Sequence, residues 1–438
     1  MLRFISLALL GLTLAGCGGD TPNNTDLTIA TVNNGDMVRM QRLSEVFAAQ
    51  NPDVNINWVV LEENILRQKV TTDIATRSGQ YDIITIGTYE TPIWSQRGWL
   101  ASLDNLPADY DVDDILPSIR QGVSLDDELY AAPFYGESSM LIYRTDLIEK
   151  AGLTMPTDPS WDFVTKAAAA MTDKSAGIYG MCLRGKAGWG ENMALITAMS
   201  NSFGARWFDE YWKPQFNSPE WAATLNAYLD LMTNYGPPGA SSNGFNENLS
   251  LFQQGKCAMW IDATVAGSFV TNTDESVVAD KVGFALAPDN GLGPRANWLW
   301  AWSLAIPSSS KNKEAAKAFI AWSTSKEYLQ LVASEDGWAN VPPGTRQSLY
   351  DNPEYKDVPF AQTTLNSIQA ANPNAPTVKP VPYTGVQFVA IPEFQAIATR
   401  VGQQFSSALA GTVTADEALV AAQSLTDREM SRAGYYKK

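Results

Sequence analysis

The stretch LTIATVNNGD, residues 27–36, joins a short apolar run to a polar turn. The first six residues are rich in β-branched side chains and predict a strand, and the last four predict the turn that ends it. Apolar residues then recur at helical spacing as far as Phe47, and the helix is expected to end at Asn51-Pro52. The opening of the chain therefore predicts a strand, a turn and a helix.

The same unit follows again. Residues 54–61 predict a second strand, residues 65–74 a second helix, and residues 81–86 a third, buried strand. Strands that alternate with helices predict a parallel sheet with right-handed crossovers, and ligands bind beyond the carboxyl ends of such strands. Several polar or aromatic residues follow these strands and are expected at one rim of the sheet: Asn34, Asp36, Glu62, Glu63, Tyr89 and Glu90.

Composition limits the function. The chain has 438 residues, enough for two sizeable domains, and a formal net charge of −16, from 31 basic and 47 acidic residues. This charge argues against a nucleic-acid partner, because nothing offsets phosphate repulsion. The sequence has no histidine, so it lacks the commonest general base near neutral pH and the commonest metal ligand. We therefore expect neither a metal nor a cofactor.

The first residues have the pattern of an export signal. Arg3 precedes an apolar run, and residues 1–16 predict a signal peptide that is removed. The end of this segment, LAGC at residues 14–17, resembles the lipobox of bacterial lipoproteins, which implies lipidation of Cys17 and a tether over 17–25. An ordinary signal peptide with an incidental cysteine is the alternative. No later apolar stretch is long enough for a membrane helix, so we expect an extracytoplasmic protein held to the membrane only by its lipid.

Two further cysteines allow two interpretations. In an oxidising compartment, Cys182 and Cys257 are candidates for a disulfide. They are equally compatible with two buried thiols that act as small apolar side chains. Spacing along the chain does not decide between them, because a bridge depends on the distance between the Cα atoms.

A set of short motifs, in order along the mature chain, resembles the extracellular solute-binding proteins of ABC importers, in the maltose-binding-type branch. The motifs are YDII at 81–84, YGESSM at 135–140, GKCAMW at 255–260 and SLAIP at 303–307, which leads into KNKEAA at 311–316. Each motif is weak alone, but their ordered set is strong.

Longer blocks are similar to the sorbitol- and mannitol-binding proteins within that branch. They are TVNNGDM at 31–37, VVLEEN at 59–64, GWGEN at 188–192, NGFNEN at 243–248 and the tryptophan strand NWLWAWSLAIP at 297–307. This resemblance implies a ligand that is a linear sugar alcohol.

The resemblance also implies a two-lobed α/β fold of the periplasmic-binding-protein type II. Each lobe would be a mixed β-sheet flanked by helices, with a hinge and a central cleft between the lobes. The N-terminal lobe would comprise 26–137 plus 304–345, and the C-terminal lobe 138–303 plus 346–438. The chain would cross between the lobes near Glu137, near Ser303 and again at 343–350.

A polyol site needs two kinds of side chain. Carboxylates, amides and arginines bind hydroxyl groups, and indole faces cover the C–H flank. Trp298, Trp300 and Trp302 alternate along one predicted strand and so share a face. We assign the first two to the cleft and the third to packing near the hinge. The predicted ligand contacts are Asn34, Asp36, Glu63, Glu90, Tyr135, Glu137, Arg184, Trp189, Asp262, Trp298, Trp300 and Tyr383.

These observations predict a binding protein and not an enzyme. It would capture a polyol of the sorbitol, mannitol or arabinitol type, close by hinge bending, and deliver the ligand to the membrane subunits of a permease. A monomer is expected. One alternative is an extracellular glycoside hydrolase that uses paired carboxylates. The other is a sugar-binding lipoprotein with no transport role, such as an adhesin or a sensor.

Overall fold

A computed structural model describes residues 24–436. The predicted signal peptide (1–16), the lipidation site Cys17 and the tether up to residue 23 lie outside the described residues. Within 24–436 the chain forms a five-stranded sheet, a three-stranded sheet and a two-stranded hairpin. None of the helices in this range has the length and apolar character needed to cross a membrane.

The first part of the chain alternates strands and helices as predicted. Its elements are β1 Thr25–Val32, α1 Gly35–Gln50, β2 Val54–Leu61, α2 Glu63–Thr76, β3 Ile83–Ile86, α3 Glu90–Gln96, α4 Pro117–Gly122, β4 Ser124–Leu125, β5 Glu128–Leu129, β6 Ala131–Glu137 and β7 Ser139–Arg144. Short 3₁₀ turns occupy Ala108–Tyr110 and Val112–Asp114.

The middle of the chain is mainly helical. Its elements are α5 Thr145–Lys150, α6 Trp161–Met171, α7 Asn192–Ser202, α8 Pro219–Tyr235, α9 Phe245–Gln253, β8 Met259–Ala263, α10 Ala266–Val270, β9 Val282–Leu286 and β10 Trp300–Ala305. Ala240–Ser242 and Ala279–Lys281 form 3₁₀ turns.

The last part of the chain contains helices and irregular segments. Its elements are α11 Lys313–Ser323, α12 Lys326–Asp336, α13 Gln347–Asp351, α14 Pro353–Lys356, α15 Ala361–Ala370, α16 Phe394–Leu409 and α17 Ala415–Ala433, with a 3₁₀ turn at Trp338–Asn340.

The five-stranded sheet has the order β2-β1-β3-β10-β6. β1 runs parallel to β2 and β3, as the alternation of strands and helices predicts. β10 runs antiparallel to both β3 and β6, so the sheet is mixed. Its register places Trp300 opposite Glu137 and Trp302 opposite Tyr135. β10 is therefore hydrogen-bonded along its length to β6, the strand that carries Tyr135 and Glu137.

The three-stranded sheet has the order β8-β7-β9, with β7 antiparallel to both neighbours. Helix α15 packs on β7 and β9, and the last two helices pack on α7 and α8. Cys182 and Cys257 form a disulfide with their Cα atoms 6.0 Å apart, which selects one of the two interpretations left open by the sequence. We call the five-stranded sheet with its helices the first lobe, and the three-stranded sheet with its helices the second lobe.

The chain passes between the two sheets at three places. β6 ends at Glu137 in the first sheet, and β7 begins at Ser139 in the second. The chain returns to the first sheet at Trp300, where β10 begins to pair with β6. The predicted return of the chain to the N-terminal lobe was at residue 304. The third segment lies beside β6, where the Gly136 amide donates to the Pro343 carbonyl at 2.8 Å.

Two glycines allow this third segment to lie against β6. A Cβ atom on Gly136 would lie against the carbonyl oxygen of Gly344, and one on Gly344 would lie against Gly136. Gly344 also has a positive φ of +73°, a backbone conformation that residues with a side chain rarely adopt. The two backbones touch because neither residue has a side chain.

We expect Gly136→Ala to lower the free energy of unfolding by about 3 kcal/mol, because the new methyl group must displace backbone. Gly152→Ala is the control: Gly152 has φ +67° with open space around it, so that variant should lose only about 1 kcal/mol. Urea unfolding measures both. Equal losses would mean that the contact between the backbones at Gly136 is not what requires glycine.

Candidate functional site

A cavity of about 90 Å³ lies between the two lobes, beyond the carboxyl ends of β1 and β2. One water needs about 10–15 Å³ on this measure, so the cavity suits one small polar molecule and is too small for an oligosaccharide. Most of the predicted contacts line it: Asn34, Asp36, Glu63, Tyr135, Glu137, Arg184, Trp189, Trp298 and Trp300.

The start of α1 forms one wall. Asn34 caps this helix by accepting a hydrogen bond from the Met37 amide at 3.0 Å, and its Nδ2 donates to the Tyr135 hydroxyl at 2.9 Å. Asp36 accepts a hydrogen bond from Arg39 at 2.5 Å. Burial raises the pKa of Asp36, and Arg39 opposes the shift. The turn after β1 thus fixes an amide, a phenol and a carboxyl at the cavity.

Arg67 of α2 was missed by sequence reasoning and organises a second wall. Its guanidinium bonds Glu63 at 2.9 Å and Glu90 at 3.0 Å. The other Glu90 oxygen accepts a hydrogen bond from the Gly87 amide. Glu90 therefore lies behind the wall and is not among the described residues that line the cavity, where the sequence predicted it as a direct contact. The Glu90 carboxylate forms an ion pair with Arg67 and so positions the arginine side chain.

Three indoles surround the same guanidinium. Its Cζ atom lies 4.0 Å from the ring centre of Trp189, 4.9 Å from that of Trp300 and 4.7 Å from that of Trp302. Trp189 belongs to the second lobe, so these contacts join the two lobes. Trp302, assigned to packing from the sequence, also lines the cavity.

Arg184 lies on the opposite wall and is held by Asp262. Its Nη2 atom is 2.6 Å from Asp262 Oδ1, its Nε is 3.0 Å from Oδ2, and its Nη1 donates to the Gly190 carbonyl. Asp262 also accepts from the Trp260 indole and the Ala263 amide, and it is fully buried. The carboxylate has no surface on the cavity, so Asp262 positions Arg184 and is not the predicted direct contact.

Tyr383 lies away from the cavity. Its hydroxyl accepts a hydrogen bond from the Trp207 amide, and its ring packs against Phe208 in the second lobe. Tyr383, predicted as a ligand contact, is buried in the core and is not among the described residues that line the cavity. Gln387, in the same irregular segment, lines the cavity instead. Its side-chain amide exchanges two hydrogen bonds with the backbone of Leu299, which holds the tryptophan strand in place.

Two carboxyl groups on the wall are nearly buried. Glu137 and Glu191 are 7 % and 4 % exposed. Burial raises the pKa of Glu137 to about 8, although Arg184 opposes the shift. Burial, together with the neighbouring Glu63, raises the pKa of Glu191 to about 8. Near neutral pH both groups therefore retain a proton for part of the time and can donate as well as accept hydrogen bonds.

Further lining residues were not predicted as contacts. They are Glu62, Arg67, Lys186, Glu191, Phe245, Asn246, Glu247, Trp302 and Gln387, together with smaller or apolar neighbours. Some carried a signal: Arg67 follows Glu63 by one helical turn, and Glu191 stands in the same glycine-rich block as Trp189. Gln387 carried no such signal, because the sequence around it shows neither helical nor strand periodicity.

The two lobes touch across the cavity. Lys186 of the second lobe lies 2.5 Å from Glu62 of the first, and the rings of Trp189 and Tyr89 are 4.9 Å apart. A Cβ atom on Gly190 would lie against Glu63 and Arg67, so a glycine lets the loop approach α2. The two lobes are therefore in contact with each other, in a closed arrangement.

The chain matches the family described as bacterial extracellular solute-binding protein over residues 34–330. It belongs to this family. The family resemblance predicted from the sequence is thus confirmed, and the glycoside-hydrolase alternative is set aside, since the family consists of binding proteins.

This solute-binding protein is similar along nearly its whole length to proteins of known ligand. It is 56 % identical over 433 residues to the mannitol-binding protein of Pseudomonas aeruginosa, covering 99 % of this chain and 98 % of the relative. It is 68 % identical to an ABC transporter solute-binding protein from Agrobacterium vitis S4 crystallised with D-mannitol, with a TM-score of 0.93 and coverage of 94 % and 99 %. A solute-binding protein from Agrobacterium radiobacter K84 in complex with ribitol is 26 % identical, with a TM-score of 0.81 and coverage of 93 % and 99 %.

These structures confirm the predicted fold class. Two lobes, a mixed first sheet and a cavity between them agree with the periplasmic-binding-protein fold. Among residues 24–436 there is no cluster of three or more acidic or cysteine side chains placed to hold a metal ion.

Glu137→Gln should change the stability of the unliganded protein in a pH-dependent way. The folded protein retains the Glu137 proton up to about pH 8, whereas the unfolded chain loses it near pH 4.5. Stability from this proton is therefore lost as the pH rises through that window, by at most about 1.4 kcal/mol per pH unit. Glutamine does not ionise, so the variant should gain melting temperature relative to wild type as the pH rises.

Thermal unfolding in the absence of ligand, measured in steps from about pH 5 to about pH 8.5, tests this expectation. The exposed Glu45 offers the matched control, because Glu45→Gln should keep a constant difference from wild type across that range. A constant difference for Glu137→Gln as well would contradict the raised pKa.

Proposed function

We propose that this solute-binding protein captures D-mannitol, or a closely similar linear hexitol, between its lobes and delivers it to the membrane subunits of an ABC importer. The observation that carries the proposal is the likeness to the Agrobacterium vitis protein with bound D-mannitol, at 68 % identity over 94 % of this chain. The Pseudomonas aeruginosa mannitol-binding protein supports the same ligand.

The cavity wall has the chemistry that a hexitol requires. Hydroxyl groups both donate and accept hydrogen bonds, and the wall offers the carboxyls of Glu63 and Glu137 and the guanidinium of Arg184. The indoles of Trp298 and Trp300 offer flat apolar faces for the C–H flank. The small volume fits a single linear polyol.

Two polar atoms at the wall are buried without a partner among the described residues. They are the Trp300 indole Nε1 and Glu191 Oε2. Buried polar groups in native proteins nearly always have hydrogen-bond partners. We infer that the polyol supplies them, one hydroxyl accepting from the indole and another bonding the carboxyl.

The closed arrangement fits a ligand-gated hinge. We place the N-terminal lobe at 26–137 plus 304–345 and the C-terminal lobe at 138–303 plus 346–438, except that β10 enters the first sheet from Trp300 onward. Ligand contacts to both lobes favour closure, and the closed form docks on the permease. We also propose that the mature protein is a monomer in the periplasm, held to the membrane by a lipid on Cys17.

D-Mannitol should stabilise the purified protein against heat by about 2.7 kcal/mol at a hundredfold excess over its dissociation constant. Sorbitol and arabinitol should stabilise it to a smaller or similar extent, and maltose should not, because the cavity is too small for a disaccharide. Thermal-shift measurements over this panel provide the test. The proposal is wrong if no polyol in the panel shifts the transition.

Trp300→Phe should weaken D-mannitol binding by about 1–2 kcal/mol, because phenylalanine retains an apolar face but lacks the indole N–H. Trp322→Phe on α11, outside the cavity wall, is the control and should retain wild-type affinity. Titration calorimetry measures both. Unchanged affinity in Trp300→Phe would mean that the ligand does not use the indole N–H.

A further inference from the structure

Charges on the cavity wall are unbalanced. Among the described lining residues, six carboxyl groups face three cationic groups. The carboxyls are Asp36, Glu62, Glu63, Glu137, Glu191 and Glu247, and the cations are Arg67, Arg184 and Lys186. When all of these groups are ionised, a neutral polyol has no charge with which to offset the excess of carboxylates.

Each of the three cations already has a carboxylate partner. Arg67 bonds Glu63 and Glu90, and Lys186 bonds Glu62. Arg184 is held by Asp262, which lies behind the wall. Each cation on the wall therefore bonds a carboxylate other than Glu137 and Glu191, and Arg184 and Lys186 reach Glu191 only at 3.7 and 3.6 Å.

Two of the remaining carboxyls have other stabilising contacts. Asp36 is bonded to Arg39, and Glu247 accepts a hydrogen bond from the Gly244 amide at 2.8 Å. Glu137 and Glu191 differ. Arg184 is the one cationic group among those that act on the Glu137 carboxyl, and Glu191 Oε2 is buried without a hydrogen-bond partner among the described residues.

Both groups are more than nine-tenths buried and line the cavity. The nearest cationic atoms to Glu191 are the Nζ of Lys186 at 3.6 Å and the Nη1 of Arg184 at 3.7 Å, too far for hydrogen bonds. The ionisable groups that act on Glu137 are Arg184, Asp262, Glu63, Asp36 and Tyr135, of which one is cationic.

We propose that the same cavity also binds protonated aminoalditols, linear polyols in which one terminal hydroxyl is replaced by an ammonium group, with that group held by Glu137 or Glu191. The inference rests on the proposed function, because it assigns the polyol chain to the same cavity. An ammonium group is close in size to a hydroxyl and donates three hydrogen bonds. It also supplies a positive charge beside these carboxyls once they are ionised.

The chemistry predicts how affinity changes with pH. The pKa values of Glu137 and Glu191 are both raised to about 8, so an ammonium ligand must displace protons from these carboxyls as it binds. Its affinity therefore rises with pH until the carboxyls are ionised. A primary alkylammonium retains its own proton to roughly pH 9, which leaves a usable window.

The test uses 1-amino-1-deoxy-D-mannitol and D-mannitol, titrated calorimetrically into the full protein from about pH 6 to about pH 8.5. The two ends of D-mannitol are equivalent by symmetry, so one amino compound tests both placements. We expect the ratio of the two association constants to rise by about tenfold or more in favour of the amine over this range. D-Mannonate, which carries a negative end group, should bind much more weakly than either.

Three variants locate the effect. At least one of Glu137→Gln and Glu191→Gln should reduce the rise of that ratio with pH, whereas the exposed Glu45→Gln should behave as wild type. Comparing the ratio within each variant removes any general loss of affinity. Melting temperatures verify that the variants are folded. If one glutamine variant does not fold, the other variant and the wild-type ratio still test the proposal.

The outcomes separate this inference from the proposed function. If D-mannitol binds and the amino compound does not, or if the ratio stays flat in wild type, the aminoalditol proposal is overturned and the mannitol proposal stands. A ratio that rises equally in wild type and in both glutamine variants also overturns it. If neither compound binds, both proposals are wrong.

Discussion

The guanidinium of Arg67 is the feature on which the rest of the site depends. It lies among the rings of Trp189, Trp300 and Trp302 and is bonded to a carboxylate, Glu90, behind them. These contacts bring together helix α2, the tryptophan strand and a loop of the other lobe. Cation–π contacts strengthen when they are desolvated, and this one is nearly buried. Arg67 therefore holds the aromatic wall together, contributes to its charge and joins the two lobes in the closed arrangement.

A second consequence concerns the tryptophan strand. Alternate residues of the segment 297–307 give three indoles to one wall, yet Trp300 and Trp302 also pack against each other with their ring centres 5.5 Å apart. Core packing and ligand surface are thus not alternatives here. The strand is held on one side by its pairing with β6 and just before its start by Gln387, so the indoles are fixed before a ligand arrives.

Sequence patterns predicted the first strands and helices well because their signals are local, whereas the two-lobed fold was expected from the family resemblance. Strands ending in turns, a glycine-flanked tryptophan and alternating indoles all follow from spacing within a few residues. The predicted contacts that do not line the cavity have partners from far along the chain. Glu90 follows a buried strand and Asp262 lies near the end of one, as ligand carboxylates often do, but Asp262 pairs with an arginine 78 residues away. Tyr383 and Gln387 lie in an irregular segment, where no periodicity shows which side chain faces the cavity.

The central claim is that a linear polyol lies between the two lobes, against the indoles and the carboxyls. A crystal structure of the protein grown with D-mannitol tests it most directly. The account predicts the ligand in this cavity, with a hydroxyl accepting from the Trp300 indole N–H and others within hydrogen-bond distance of Glu137 and Arg184. Mannitol bound elsewhere, or a closed cavity that holds only water at saturating mannitol, would contradict it.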